Sequence, residues 1–495
     1  MILPIMNYIK KKFTVANKLL LNRKLYQTIF ICILTLFVCV RSQGQSSNNS
    51  VVKISVNPKI ILAAISPDFI GLGYETSAVA QPNYFSGQNS KLIQLYHNLN
   101  PHGLIRIGGN ISDQTKYVTD STSIAHTEKE VTIINHNDLV NLQKFSRATG
   151  WKVMWGLNLG TGSKEEAKQE AVAVAGVLGN DLHSFQIGNE VDLQSNYHRK
   201  YNNFQSYFSD FLSYKAAIIS ALPNAIFSGP DVAGNINWFS EFANKATDIK
   251  LLTYHYYRTG SHSPNATIEA LLSTDSAWNR KLKQLEQISQ KSNVPYRINE
   301  VNSFSGGGKP GVSNTFASAL WCLDYMFQLA THGCNGVNME TDINQLGWIS
   351  HYSPIIHDKN GNVSVRPEYY GILAFGMAGK GDLIKLSLDK DTINLSAYAT
   401  IRKDKDKIIW ITVINKDISR DATLEVALPQ AYSQADAFWL KAPNMESEDH
   451  VTLAGTEVSG ECKWRPKTSE KMIIKDGSFR LQVAHASAVL LRLKD

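Results

Sequence analysis

The chain has 495 residues, of which 43% are hydrophobic and 19% are charged, as in soluble globular proteins. Its formal charge of +7 is unevenly distributed, because the first 44 residues hold seven lysines and arginines and no acid, so the remainder is balanced. Binding to nucleic acid needs a concentrated basic surface, and the balance therefore argues against a nucleic-acid partner. The length is sufficient for a large core and two domains.

The N-terminal segment is organised like a secretory signal. A basic region precedes an apolar run of 13 residues, Thr28–Val40, and a polar end, Arg41–Gly44. The run is too short to span a bilayer comfortably. We therefore predict a signal peptide over residues 1–44, a secreted or periplasmic location and no stable membrane insertion after cleavage. An uncleaved N-terminal anchor, or lipid attachment at Cys39, is the alternative.

From Phe69 onward the pattern is strand, loop and helix, repeated. The predicted strands are Phe69–Tyr74, Leu104–Ile107, Lys152–Leu157, Leu182–Gly188, Ile226–Ser228, Leu251–His255, Tyr296–Asn299 and Gly336–Met339. The predicted helices are Asn137–Thr149, Lys164–Leu178, Asn203–Ala221, Trp278–Lys291 and Thr315–Ala330. This alternation predicts an α/β fold, a (β/α)₈ TIM barrel over residues 66–380. A doubly wound open sheet is the alternative, although no glycine-rich nucleotide-binding turn follows the first strand.

After Gly379 the pattern changes to short alternating strands. Such a pattern predicts an all-β module, a β-sandwich over residues 381–495. The strand at residues 51–56 has no place in the barrel, and we expect it to join the sandwich.

Two glutamates follow apolar strands. Glu190 comes after Asn189 at the end of predicted strand four, and Glu300 ends strand seven. A buried acid costs several kcal/mol unless it is paired or solvated, and in a barrel the C-terminal ends of the strands form the active site. Two carboxyl groups flanking a sugar are the machinery of a retaining glycosidase. We predict that Glu190 is the acid/base, Glu300 the nucleophile and Asn189 the partner of the sugar 2-OH; a structural ion pair is the alternative for either glutamate.

Five motifs lie at or just beyond the predicted strand ends. They are Arg106-Ile107-Gly108-Gly109-Asn110, Gly156-Leu157-Asn158, Gly188-Asn189-Glu190, Tyr254-His255-Tyr256-Tyr257, and Glu300 followed by Ser305-Gly306-Gly307-Gly308. Together they resemble glycoside hydrolase family 79, the β-glucuronidase and heparanase family within the clan of (β/α)₈ retaining glycosidases. The resemblance runs from about Val51 to the C-terminus, and it implies a β-glucuronidase with no metal and no cofactor.

The three consecutive glycines, Gly306, Gly307 and Gly308, allow backbone N–H groups to approach a carboxylate closely. The family uses a tyrosine at the position of Ser305 to bind the sugar C6 carboxylate. Because this chain lacks that tyrosine, Lys309 and Tyr352 are the candidate replacements.

Further site residues are expected around the two glutamates. Arg106 should hold Glu300 ionised through a charge-assisted pair. The candidates for contact with the sugar are Glu75, Asn110, Asn158, His255 and Tyr257.

These observations predict a retaining β-glucuronidase that removes β-linked glucuronic acid from glycans or glycosides by a two-glutamate double displacement. Its partner is a carbohydrate substrate. Two alternatives stay open: a related β-glycosidase acting on a neutral sugar, which Ser305 favours, and a non-catalytic carbohydrate-binding protein.

Overall fold

The computed structural model describes residues 50–119, 126–128, 131–193, 200–343, 350–358, 361–402, 408–428 and 432–494. The predicted signal peptide, residues 1–44, and Cys39 lie outside this range. Within it, no helix has both the length and the apolar character needed to cross a membrane.

The strands are, in chain order, β1 (Ser50–Ala64), β2 (Ile70–Glu75), β3 (Leu104–Gly108), β4 (Thr115–Tyr117), β5 (His126–Glu128), β6 (Val131–Ile134), β7 (Lys152–Leu157), β8 (Leu182–Ile187), β9 (Phe227–Val232), β10 (Ile249–Gly260), β11 (Tyr296–Ser305), β12 (Val337–Glu340), β13 (Ile355–His357), β14 (Val363–Val365), β15 (Asp382–Asp389), β16 (Leu395–Ile401), β17 (Ile409–Asn415), β18 (Ala422–Ala427), β19 (Gln434–Lys441), β20 (Thr452–Leu453), β21 (Glu470–Ile473), β22 (Ser478–Val483) and β23 (Ser487–Lys494).

The helices are α1 (Ser90–Leu99), α2 (His136–Thr149), α3 (Lys164–Leu178), α4 (Phe204–Ala221), α5 (Ile236–Lys245), α6 (Ile268–Leu272), α7 (Ser276–Ser292), α8 (Phe316–Thr331) and α9 (Pro367–Ala378). Two of these helices begin at a recognisable local sequence motif. Capping boxes formed by Asn135 with Asp138 and by Ser163 with Glu166 begin α2 and α3, and such boxes satisfy backbone N–H groups that the first turn leaves unpaired.

Eight strands close into a barrel. The order is β2-β3-β7-β8-β9-β10-β11-β12, which is chain order, and β12 pairs back on β2 with Val337 opposite Ile70. The pairing is parallel throughout, with helices between successive strands. The predicted TIM barrel is confirmed, and the closure excludes the open doubly wound sheet.

Strand seven of the barrel, β11, is longer than predicted. Beyond the barrel wall it stays paired with β10, with His255 opposite Glu300 and Gly260 opposite Ser305. The expectation that Glu300 ends its strand is therefore wrong, since it lies in the middle of β11. The extended pairing satisfies backbone groups of both strands above the barrel rim. It also places Ser305 at the far end of β11, well beyond Glu300 along the same strand.

The appended module is one ten-stranded sheet in the order β20-β19-β23-β17-β16-β15-β1-β18-β22, with β21 on β19. The strand predicted at residues 51–56 lies inside β1, between β18 and β15. Side chains of β1, β18 and β22, such as Ile54 and Leu424, share one core with those of β17, β19 and β23, such as Val413 and Leu491. The two halves of the sheet therefore form the two layers of a sandwich.

The floor of the barrel is closed by a buried arginine. Arg297 donates to the side chain of Asn338 at 2.7 Å and to the carbonyl oxygens of Asp68, Phe69 and Val337 at 3.0–3.2 Å. Burial lowers the pKa of Arg297 to about 10. The groups that accept hydrogen bonds from Arg297 at this end of the barrel are all neutral.

Candidate active site

The acid/base candidate lies on the turn that follows β8. Gly188 has a φ of 84° and Glu190 a φ of 45°, a left-handed conformation that few residues other than glycine adopt. The N–H of Glu190 donates to the carbonyl of Asp231 at 2.8 Å, and its carbonyl accepts from Leu193 at 2.8 Å. Both hydrogen bonds hold this conformation, and they turn the side chain, which is 13% exposed, into the barrel mouth.

Glu300 is held through both carboxylate oxygens. Arg106 donates to Oε2 at 2.7 Å, and the hydroxyl of Tyr257 donates to Oε1 at 3.0 Å. Burial alone would raise the pKa of Glu300, but the charges of His255 and Arg106 and the Tyr257 hydrogen bond together lower it below its ordinary value. Glu300 is therefore kept ionised, as a nucleophile must be.

The two glutamates approach each other across the mouth. One carboxylate oxygen of Glu190, one of Glu300 and a ring nitrogen of His255 all lie within 4.8 Å of one another. Retaining glycosidases hold their two carboxyl groups about 5–5.5 Å apart, whereas inverting enzymes leave about 6.5–9.5 Å for a water molecule. The separation here fits the retaining geometry.

His255 lies between three acids. Its Nδ1 is 3.2 Å from Glu190 and 3.6 Å from Glu300, and its Nε2 is 3.1 Å from Asp231. Burial lowers the pKa of the imidazole, but the charges of Glu300 and Asp231 and the hydrogen bond to Glu190 raise it well above its ordinary value. The surrounding carboxylates therefore favour the imidazolium form of the ring.

That charge state decides whether the cluster fits a metal ion. Among the described residues, Glu190, His255 and Glu300 form a group whose ligand atoms are close enough to hold one. A protonated imidazole has no free lone pair, and both oxygens of Glu300 already accept hydrogen bonds. The chemistry of this donor set therefore disfavours a metal centre.

Asp231, on β9, joins the groups below the two glutamates. Its carboxylate accepts from Arg106 at 2.8 Å, from Gln186 at 2.5 Å and from Asn299. The residue is 1% exposed. Burial raises the pKa of Asp231, but the charges of His255 and Arg106 lower it below its ordinary value.

Three of the predicted sugar contacts belong to one network at the same rim. Arg106 donates to Asn189 Oδ1 at 2.5 Å, and Asn189 Nδ2 donates to Asn110 Oδ1 at 3.1 Å. Glu75 accepts from the N–H groups of Asn110 and Ile111 at 3.2 and 2.8 Å. Burial raises the pKa of Glu75 to about 8, so its carboxyl group is a proton donor near neutral pH.

Asn158 does not belong to this network. Its amide group donates to Thr115 and Thr161, and its oxygen accepts from the N–H groups of Thr161 and Gly162. These local hydrogen bonds engage both ends of the side chain, so the expected contact between Asn158 and the sugar is replaced by a role in the turn.

The triple-glycine turn lies beside two tyrosines. Gly306, Gly307 and Gly308 have φ angles of 76°, 82° and 81°, which explains why no larger residue stands there. A Cβ at Gly308 would lie 2.8 Å from the N atom of Tyr352, whose ring stacks on Tyr257 with centroids 6.1 Å apart. The turn and Tyr352 are thereby placed on the Glu300 side of the mouth.

Ser305 and Lys309 flank this turn. The carbonyl of Ser305 accepts from the N–H of Ser261 at 2.9 Å, and the N–H of Lys309 donates to Ser313 at 2.8 Å. Both side chains are half-buried. Part of each residue is therefore accessible to solvent.

Sequence reasoning missed Asp231 because predicted strand five ended at Ser228, four residues before the end of β9. The signal was present, since Asp231 is a lone acid within the otherwise apolar stretch from Gly229 to Gly234, the pattern that drew attention to Glu190. It also missed Glu340, the last residue of strand eight, and Asp342, two residues further on. Burial raises the pKa of both, in Asp342 to about 6.

A closed (β/α)₈ barrel that presents two close carboxylates from strands four and seven is the framework of a glycoside hydrolase. Residues 86–327 match the family model described as "Glycosyl hydrolase family 79, N-terminal domain". The resemblance to family 79 that the motifs indicated is confirmed, and the chain is a glycoside hydrolase.

Known relatives agree with this assignment. The chain is 25% identical to a β-glucuronidase of Aspergillus niger over 399 residues, 71% of this chain and 70% of that protein. Its fold is similar to that of a 4-O-α-L-rhamnosyl-β-D-glucuronidase from Fusarium oxysporum, with a TM-score of 0.75 and 19% identity, covering 89% of this chain and 99% of the other. A family 51 α-L-arabinofuranosidase from Bifidobacterium longum has the same fold at a TM-score of 0.68 and 13% identity, covering 90% and 100% of the two chains.

Proposed function

We propose that this protein is a retaining β-glucuronidase that releases β-linked glucuronic acid from a glycan or glycoside. The observation that carries the mechanism is the close approach of Glu190 and Glu300 across the barrel mouth, within 4.8 Å. The similarity to a protein named as a β-glucuronidase over 70% of its length supports the choice of sugar.

In the first step, Glu300 attacks the anomeric carbon while Glu190 gives its proton to the departing oxygen. The C1–O bond to the leaving group breaks, and a C1–O bond to Glu300 forms. Arg106 and Tyr257 hold the attacking carboxylate in a fixed orientation. Such pre-positioning lowers the entropic part of the barrier.

In the second step, Glu190 removes a proton from water as the water attacks the same carbon, and Glu300 leaves. Two inversions give net retention of configuration. His255 contacts both glutamates, so its positive charge can stabilise whichever of them is ionised at each stage.

The triple-glycine turn supports a uronate as the sugar. Successive residues with positive φ angles can present backbone N–H groups that bind anions. In this turn the N–H of Gly308 already donates to the carbonyl of Phe304 at 3.1 Å, so those of Gly306 and Gly307 are the candidate donors. Lys309 lies directly after the turn and adds a positive charge, which at about 4 Å from a carboxylate near the surface would contribute up to about 4 kcal/mol before screening.

A neutral β-glycoside is the second candidate. The family tyrosine is replaced here by Ser305, and Asp342 accepts hydrogen bonds from Ser350 and Tyr352 beside the turn. An ionised Asp342 would repel a uronate, so these two features favour a sugar without a carboxylate.

The rates on three aryl β-glycosides distinguish the candidates. We expect kcat/KM for the glucuronide to exceed those for the glucoside and the galactoside. Lys309→Ala should raise KM for the glucuronide and leave the neutral glycosides unchanged. Faster cleavage of a neutral glycoside by the unaltered enzyme would refute the uronate assignment.

The stereochemical outcome tests the mechanism independently of the preferred sugar. The first product seen by proton NMR should be the β-anomer. An initial α-anomer would mean that the enzyme inverts, and that Glu300 is not the nucleophile.

We also propose that the enzyme acts outside the cytoplasm, in the periplasm or the medium. Support comes from the sequence of residues 1–44, with its basic region and apolar run. Fractionation of the native host, followed by N-terminal sequencing of the mature protein, tests this proposal.

A further inference from the structure

We propose that Asp231 is a positioning residue for the reaction, which fixes the orientation of Arg106 and the protonation state of His255 for both glutamates. This inference rests on the proposed double displacement. Asp231 lies on strand five, β9. It belongs to none of the sequence motifs, and it is not among the residues expected to contact the sugar.

Asp231 contacts two site residues, Arg106 and His255, through its side chain and three further polar residues around them. Oδ2 accepts from Arg106 at 2.8 Å, while Oδ1 lies 3.1 Å from His255 Nε2 and accepts from Gln186 and Asn299. The N–H of Asp231 donates to Thr253 Oγ1 at 3.0 Å. A buried carboxylate is stable only with such a full set of partners, so these donors and Asp231 fix one another.

The first consequence concerns the orientation of the Arg106 guanidinium. The guanidinium donates through Nη2 to Asp231 and Asn189 and through Nη1 to Glu300. A planar guanidinium that is anchored on one side has little freedom on the other. The Asp231 contact therefore directs Nη1 at the nucleophile.

The second consequence concerns the charge of His255. The groups that face the imidazole are Glu190 on the turn after β8, Asp231 on β9 and Glu300 on β11, and Arg106 on β3 pairs with the last two. Glu300 loses its charge when it bonds to the sugar, and Glu190 gains one when it gives up its proton. Asp231 is the facing acid whose charge stays the same, so it holds the imidazolium throughout the cycle.

The third consequence is the placement of the acid/base. The carbonyl of Asp231 accepts the N–H of Glu190 at 2.8 Å, and Asp231 itself has a φ of 63°. The backbone of Asp231 thus supports the left-handed turn of Glu190, while its side chain supports the partners of Glu300. One residue aligns both halves of the mechanism.

Replacing Asp231 with asparagine tests the role. An amide offers one acceptor in place of two and carries no charge, so we expect kcat to fall about 100-fold or more, as when an organised electrostatic contact is lost, with a smaller change in KM. The alkaline limb of the kcat–pH profile should move to lower pH, because His255 then loses its proton more easily. A loss of kcat with an unmoved alkaline limb would mean a merely structural role and would overturn the proposal.

Glu170→Gln is the matched control. Glu170 lies on α3, outside the barrel mouth. Its buried carboxyl group accepts a hydrogen bond from Trp155 at 2.8 Å. The same acid-to-amide change there should leave the shape of the pH profile unchanged. A moved limb in the control would show that the shift does not report on Asp231.

A measurement on the unaltered enzyme settles the matter if Asp231→Asn does not fold. With ¹⁵N-labelled histidine, the His255 ring signals can be assigned by their absence in His255→Gln. We expect them to show an imidazolium at pH 8, and a ring that is neutral at pH 7 would overturn the proposal. No substrate is involved, so this result stands or falls separately from the choice of sugar.

Discussion

The barrel contains two fully buried arginines at opposite ends, and their surroundings differ. Arg106, at the mouth, donates to the carboxylates of Asp231 and Glu300, whose charges raise its pKa although burial opposes this. Arg297, at the floor, donates to an amide and to carbonyl oxygens, and burial lowers its pKa to about 10.

The difference separates a reactive end from a structural end. Neutral acceptors satisfy the hydrogen bonds of Arg297 without creating a field that could act on a substrate. Charged acceptors around Arg106 form a network whose protonation states depend on one another. Buried charge of this kind is expensive, and it is retained at the mouth, where it can assist the reaction.

The largest expected effect is the loss of the nucleophile at the mouth. Glu300→Gln should lower kcat by roughly 10⁴-fold or more on every substrate, because no other group can form the covalent intermediate. Glu190→Gln should lose less on aryl glycosides with very acidic leaving groups, which depart without a proton. Equal losses on all leaving groups in both variants would contradict the assignment of the two roles.

Removing the arginine at the mouth should affect catalysis next most strongly. Arg106→Gln should lower kcat by roughly 10²–10³-fold, the size seen when one stabilising donor is lost from an active site. It should also raise the pH of the acidic limb, since Glu300 loses a neighbour that holds its pKa down. An unchanged acidic limb would show that Arg106 does not control the ionisation of Glu300.

Removing the arginine at the floor should act on stability instead. Arg297→Met removes one donor from each of three carbonyl groups and from Asn338, and we expect a loss of about 3 kcal/mol in the free energy of unfolding. The kcat of the folded fraction, measured well below the unfolding temperature, should remain close to that of the unaltered enzyme. A large fall in kcat would remove the distinction between the two ends.

The smallest expected effect is the change in the stability of the fold with pH. Burial raises the pKa of Glu75 and Glu170 to about 8, so these groups stabilise the fold below their unfolded pKa of about 4.3 and lose that contribution as pH rises towards 8. Asp231 and Glu300 have lowered pKa values, and their contribution is lost as pH falls below about 4.

Calorimetry should therefore find the highest unfolding temperature near about pH 4–5. It should decline by several degrees towards pH 8, and Glu170→Gln should make the decline shallower, because an amide does not titrate. An unfolding temperature that rises steadily up to pH 8 would contradict the expected neutral state of these buried carboxyl groups.

Local sequence patterns were sufficient to predict the barrel and its two glutamates. Alternation of apolar strands with helices predicted all eight barrel strands, and α3 begins and ends at the residues expected, Lys164 and Leu178. Capping residues and periodicity act within a few positions, so they can be identified without a tertiary structure. The polar ends of the strands identified Glu190 for the same reason.

Contacts between distant segments could not be identified in this way. Asn158 and Asn189 both lie just beyond the end of a barrel strand, but one caps a local turn and the other joins the catalytic network. Asp231 meets its partners across 22 to 125 positions of sequence. Composition and spacing contain no information on such distances.

The sequence by itself determined that this chain folds as a TIM barrel with a β-sandwich and that it places two glutamates at the barrel mouth, because each of these features is encoded in short-range patterns. Only the tertiary structure decided that Glu300 lies within its strand, that Glu190 stands in a left-handed turn, and that Asp231 joins Arg106 to His255. Those features depend on strands β3, β9, β10 and β11 meeting around one axis, and closure of the barrel is a property of the whole chain.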